Sequence, residues 1–233
     1  MTAGGLLLFA RCAGFAARAP GISYPGVPPM LRVGIALCLA LALLPNAHAR
    51  ALANGAALVA GVALEFLIGS AIGIGASVLY DGAYAGGRAI DDYVGVKAIA
   101  PSVHLVAPSG FGRIWSLAFT GAFFLLGAYR PVIFAFSASL SQLPLGTLPS
   151  AHAWAAYAAS VAVTLLRVAL AVAAPAIAAA FLVQLALGAL SRTIPRFAST
   201  TLAFPLTFGS ALVACVLCIP AIVLVGEPIV PFP

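Results

Sequence analysis

Apolar residues come in long runs that lack period-two alternation. The runs cover approximately Gly4 to Ala17, Met30 to Leu44, Leu52 to Tyr80, Phe111 to Tyr129, Trp154 to Leu190 and Leu202 to Val225. A membrane barrel is built from strands of about ten alternating residues, whereas these runs are longer and rich in Ala and Leu, so they predict helices. Turn-forming clusters punctuate them: "APGISYPGVPP", "LPNAHAR", "APSVHLVAPSG" and "QLPLGTLPS". The fifth run contains Arg167 and Pro175. A proline inside a helix removes a ladder hydrogen bond, so this run predicts two helices or one bent helix. The pattern as a whole predicts an all-α integral membrane protein made of several kinked helical hairpins. No soluble domain and no repeat is visible, and residues 1–233 read as a single membrane-embedded domain. The segment "MLRVGIALCLALALLPNAHA", read from Met30 alone, has the form of a signal peptide. It is internal, and it reads as a helix followed by a turn.

Composition strengthens this picture. Hydrophobic residues make up 64% of the chain and charged residues 7%, with a mean hydropathy of +1.16. A soluble domain carries about 25% charged residues, so this chain cannot cover a globular surface with the charges it has. The net charge of +6 is spread thinly over arginines along the whole length. With no basic run there is no footprint for nucleic acid. Almost every interhelical stretch carries an Arg, so the positive-inside rule gives no clean orientation. That spacing suits a protein held by partners as much as by lipid.

Sites for chemistry are sparse. The nucleotide-binding, zinc-protease and nucleophile-elbow motifs are missing. His48, His104 and His152 stand far apart beside turns, which fits loop-edge solvation rather than metal ligation. The pair "CVLC", Cys215 and Cys218, lies in an apolar run and reads as small hydrophobes on one helix face. The chain is therefore expected to be neither an enzyme nor a holder of cofactor or metal. An intramembrane aspartyl protease would need Asp81 and Asp91 on facing helices, and no flanking pattern supports that.

The acids are clustered. Of five acidic residues, Asp81, Asp91 and Asp92 fall within "YDGAYAGGRAIDDYVG", Tyr80 to Gly95, and Glu65 lies upstream. If residues 83–94 are helical, Arg88 can meet Asp92 at i+4 or Asp91 at i+3. The stretch then reads as a polar joint, either an exposed hairpin bend or a charged contact between subunits. A solvated loop and an ion or proton pathway are the other readings. Glycine spacing adds a second signal. "GSAIG" puts Gly69 and Gly73 one turn apart on a face shared with Glu65, and "GAYAG" repeats the device at Gly82 and Gly86. Such faces let helix backbones approach closely in lipid. Gly75, on another face, is expected to tolerate a larger side chain better.

Several of these motifs, in order along almost the whole chain, resemble the type III secretion export-apparatus family SctT, whose flagellar relatives are called FliR. They are "EFLIGSAIG" with Glu65, Gly69 and Gly73, and "GGRAIDDYVG" with Gly87, Ile90, Asp91 and Gly95. "QLPLG" at Gln142 to Gly146 is similar to a family loop. The most specific stretch is "APAIAAAFLVQLALGALSRTIPRF", with Pro175, Leu187, Gly188, Ser191, Arg192 and Pro195, followed by "FPLTFG". Arg88 stands where many relatives carry an acid, and Arg196 where Gln is common. Pro195 should stop the preceding helix and Arg192 should complement its last carbonyls.

The resemblance implies a non-enzymatic structural subunit of a protein-export gate in the bacterial inner membrane, a multi-pass protein serving an injectisome or flagellum biogenesis. It implies assembly with SctR/FliP-like and SctS/FliQ-like subunits around a pore for unfolded secreted proteins, completed by SctU/FlhB-like and SctV/FlhA-like proteins. Glu65, Gly69, Gly73, Gly87, Arg88, Asp91, Gly95, Pro175, Gly188, Arg192 and Pro195 become the assembly candidates. From the residues alone the competing reading is a small polytopic transporter or ion channel that uses the Asp81 to Asp92 stretch as a charge path.

Overall fold

The computed structural model describes residues 3–23, 26–47, 55–95, 110–193 and 200–225, without the side chains of residues 46, 193, 200–202 and 219–225. Among these residues there are seven α-helices and no strand. They are α1 (Ala3–Arg18), α2 (Pro29–Leu43), α3 (Gly55–Val94), α4 (Gly110–Leu125), α5 (Tyr129–Gln142), α6 (Ala151–Thr193) and α7 (Thr200–Val225). A short 3₁₀ turn, Leu44–Asn46, follows α2. The all-α membrane reading holds.

Local chemistry explains several helix ends. α2 starts with Pro29 in its first turn, where a missing N–H costs nothing. α3 ends at Gly95, whose φ of +82° is the left-handed conformation that only glycine adopts cheaply. The Gly95 N–H returns to the Asp91 carbonyl at 3.1 Å. Ser150 caps α6 by accepting the Ala153 N–H at 3.1 Å. α4 and α5 meet at 77° across residues 126–128, where Gly127 has φ +72°.

Two elements, α3 and α5, differ from the sequence pattern, and the fifth run takes the single-helix alternative, an α-helix of 43 residues continuous through Pro175. α3 does not stop near Tyr80 but carries the acidic stretch as helix up to Val94. α5 was not anticipated, because "YRPVIFAFSASLSQ" begins with a charge and a proline and is dotted with serines. Those serines return their hydroxyls to the helix's own carbonyls, as Ser137 to Phe134, Ser139 to Phe136 and Ser141 to Ala138. Their polarity is therefore absorbed locally.

The helices pack into two units. Among the described residues, the first comprises those between 3 and 78 and between 120 and 163, the second those between 79 and 119 and between 164 and 225. In the first, Leu7, Leu8, Cys12, Phe15, Ile68, Phe136 and Leu145 form a buried core, with the Phe15 and Phe136 rings stacked at 4.5 Å. In the second, Ile90, Phe111, Trp115, Val172, Ala176 and Ala211 are buried together, and Phe111 lies 5.1 Å from Phe208. α3 and residues 151–192 of α6 are each long and apolar enough to cross a membrane, and the bent pair α4 and α5 qualifies together.

Candidate functional site

In the first unit the glycine face of α3 is pressed against α1. A Cβ on Gly69 would strike the Arg11 carbonyl, with the Phe15 nitrogen 3.0 Å away. One on Gly73 would lie 2.8 Å from the Phe15 carbonyl oxygen. From the other side, one on Gly14 would strike the Phe66 carbonyl. Contacts advance together along both helices, so α1 and α3 run parallel here with backbones almost touching. The close approach expected of Gly69 and Gly73 is present.

That approach brings two charges together. Arg11 and Glu65 are fully buried, and Arg11 Nε donates to Glu65 Oε2 at 2.5 Å. Arg11 Nη1 donates to the carbonyls of Leu143, at 3.0 Å, and Ser139, at 3.3 Å. These lie at the end of α5, where the negative end of the helix dipole favours a cation. The second oxygen of Glu65 accepts the Gly146 N–H at 2.7 Å, and Gly146 has φ +83°. One ion pair therefore fastens α1, α3, the end of α5 and the "QLPLG" turn. Among the described residues Arg11 Nη2 has no hydrogen-bond partner. Arg11 was absent from the candidates. The available signal was a lone Arg inside the apolar run "GGLLLFARCAGFAA", since a charge there needs an acid in another helix.

The second unit repeats the logic with a carboxylate and backbone. Asp91 is 1% exposed. Its Oδ1 accepts the Phe111 N–H at 3.1 Å and its Oδ2 lies 3.5 Å from the Gly112 nitrogen, both in the first turn of α4. A carboxylate there satisfies orphan N–H groups and opposes the positive end of the helix. Gly87, one turn earlier on α3, makes the approach possible, because its Cβ would lie 2.6 Å from the Phe111 carbonyl carbon. The acidic stretch is thus no exposed bend, and Asp91 is held by α4 rather than by Arg88. Asp92 is exposed and Asp81 half-buried. Gly82 and Gly86 seat α6: their Cβ atoms would lie 2.9 Å from the Leu165 oxygen and the Val172 Cβ, respectively.

The remaining candidates do not join these clusters. Arg88 is half-buried and Gly95 closes α3. Pro175 lies within α6, and Arg192 is exposed in its last turn, the place expected for a cation. Gly188 is exposed, with nothing within 4 Å of an added Cβ. Pro195 and Arg196, like His48 and His104, lie outside the described residues. Gly75 departs from expectation: it is buried, and a Cβ there would meet the Tyr157 hydroxyl.

Both buried carboxylates are committed to donors of the chain itself, and both clusters fasten helices. No curated protein sequence matches the chain. A family model does, the one described as "Bacterial export proteins, family 1", over residues 3–230. With Glu65 and Asp91, two acids of the resembling motifs, each found fastening a helix joint, and a match running through nearly every residue, the chain belongs to that bacterial export family, the one that includes SctT and FliR.

Proposed function

We propose that this export-apparatus membrane protein is a structural subunit of the type III protein-export gate, forming part of an inner-membrane pore for unfolded substrate proteins. The observation that carries the reading is the family match across residues 3–230. Packing supports it, since the buried charges and the close glycines serve helix-to-helix contact. In this reading the chain is multi-pass and acts as one export-apparatus domain built of two packing units. It is non-enzymatic and associates with SctR/FliP-like and SctS/FliQ-like subunits and with SctU/FlhB-like and SctV/FlhA-like proteins. Engagement of Asp91 by two backbone N–H groups favours a structural joint over a charge path through the same stretch.

The test is affinity purification of the tagged chain from a strain with a complete export system, alongside a secretion assay in a strain that lacks the chain. Recovery of the partner subunits and loss of secretion are expected. A chain that purifies without them and moves ions or solutes alone in liposomes would overturn the proposal in favour of a transporter.

A further inference from the structure

α3 is held from outside at one point of its own hydrogen-bond ladder. In a regular helix the Gly75 N–H bonds the Ala71 carbonyl. In the first unit the Tyr157 hydroxyl, from α6, donates to that Ala71 carbonyl at 2.8 Å, and it stands where a Cβ on Gly75 would be. The phenol thus sits across an i, i+4 pair. Only glycine at position 75 admits it, because a Cβ would occupy the place of the hydroxyl oxygen. One turn on, the buried Ser77 hydroxyl returns to the Ile74 carbonyl at 3.1 Å. Side chains that insert into the ladder, and serines that bond back to it, are recognised causes of bends in helices.

We propose that Tyr157 is a wedge and that residues 71–77 form a hinge in α3, where the Ala71 carbonyl exchanges between the Gly75 N–H and the Tyr157 hydroxyl. With the hydroxyl engaged the turn is loosened. With it withdrawn the ladder closes and α3 stiffens. Apolar packing on both sides of this turn is dense, with Ile68, Ile72, Ala76 and Val78 buried, so the hinge is a matter of backbone bonding and not of a loose core.

Hydrogen exchange of the purified full-length chain, read by mass spectrometry over peptides covering residues 71–79, tests this. Tyr157→Phe removes the hydroxyl and keeps the ring. It should slow exchange in this window by about tenfold, one net hydrogen bond's worth, and leave residues 55–70 unchanged. Gly75→Ala blocks the hydroxyl from the other side and should give the same slowing, with the double variant no slower than either single one. Unchanged or faster exchange in Tyr157→Phe would overturn the proposal, as would additive effects or a slowing spread evenly along α3.

Discussion

At Arg11 a guanidinium sits among Leu7, Leu8 and Phe15 without contact with water. Burying an ion costs several kcal/mol, which only a well-placed counterion and further hydrogen bonds offset. Arg11 has both, from Glu65 and two carbonyls. Removing one partner should therefore be worse than removing both. Arg11→Leu and Glu65→Leu are each expected to destabilise the chain by about 3–5 kcal/mol. The double variant Arg11→Met with Glu65→Leu should recover a large part of that loss. Detergent-solubilised melting curves of the three variants check this, and additive losses would contradict it. At Asp91, replacement by Ala strands the Phe111 and Gly112 N–H groups and should cost about 1–3 kcal/mol. Asp92→Ala, at an exposed neighbour, should stay within about 0.5 kcal/mol of wild type. The same melting assay separates the two acids.

Helix-to-helix contact in lipid rests on close approach, because burying apolar surface away from lipid tails gains little. Gly69→Leu and Gly73→Leu should improve helix propensity by up to about 1 kcal/mol but overpack the seam with α1 at a cost of about 1–3 kcal/mol. Both variants should still enter the membrane, as carbonate-resistant fractions, yet melt lower and recover less partner. Gly34→Leu, on an exposed stretch of α2 with open space around it, is the control and should melt like wild type. If Gly69→Leu melts like Gly34→Leu, the seam is not a stability determinant. At this scale most helices could be read from the sequence, since a run such as Leu202 to Val225 has no other stable form in lipid. The tight face at Gly69 and Gly73 was legible too, because spacing alone puts two glycines and Glu65 on one side. The reach of α3 to Val94 was not legible. Asp81, Arg88, Asp91 and Asp92 look like loop residues until the burial of Asp91 against α4 is known, and that is a contact between distant segments. Tyr157 likewise gave no sign, since a tyrosine in an apolar helix reads as bulk and its hydroxyl's target lies 86 residues away.

Two helices are far longer than the others among the described residues. α3 has 40 residues and α6 has 43. At 1.5 Å per residue they are about 60 and about 65 Å long, twice the roughly 30 Å of bilayer hydrocarbon. Exposed large hydrophobics run from Val59 to Ile74 on α3 and from Val163 to Leu190 on α6. On α6 that stretch is about 40 Å long at the helical rise, longer than the hydrocarbon of an untilted span, and exposed apolar surface of that extent marks contact with protein. Expressed alone, the chain should aggregate or be degraded. Co-expression with SctR- and SctS-like subunits should raise its steady-state level severalfold, read by immunoblot of membranes. A monodisperse, heat-stable monomer in mild detergent would contradict this.

The buried ion pair also orders events in time. Arg11 leaves the ribosome long before Glu65, and the carbonyls of Ser139 and Leu143 and the N–H of Gly146 come later still. Glu65 waits for position 146, and until position 143 has been made the first helix carries a cation with an incomplete set of partners. Its final seating is therefore an event of late synthesis, although it is the first segment to emerge. In a nested series of C-terminal truncations, protection of α1 from protease should appear abruptly once residues 139–146 are included. Shorter fragments should be cleared by the cell's membrane proteases, even though α3 in them is long and apolar enough to cross the bilayer.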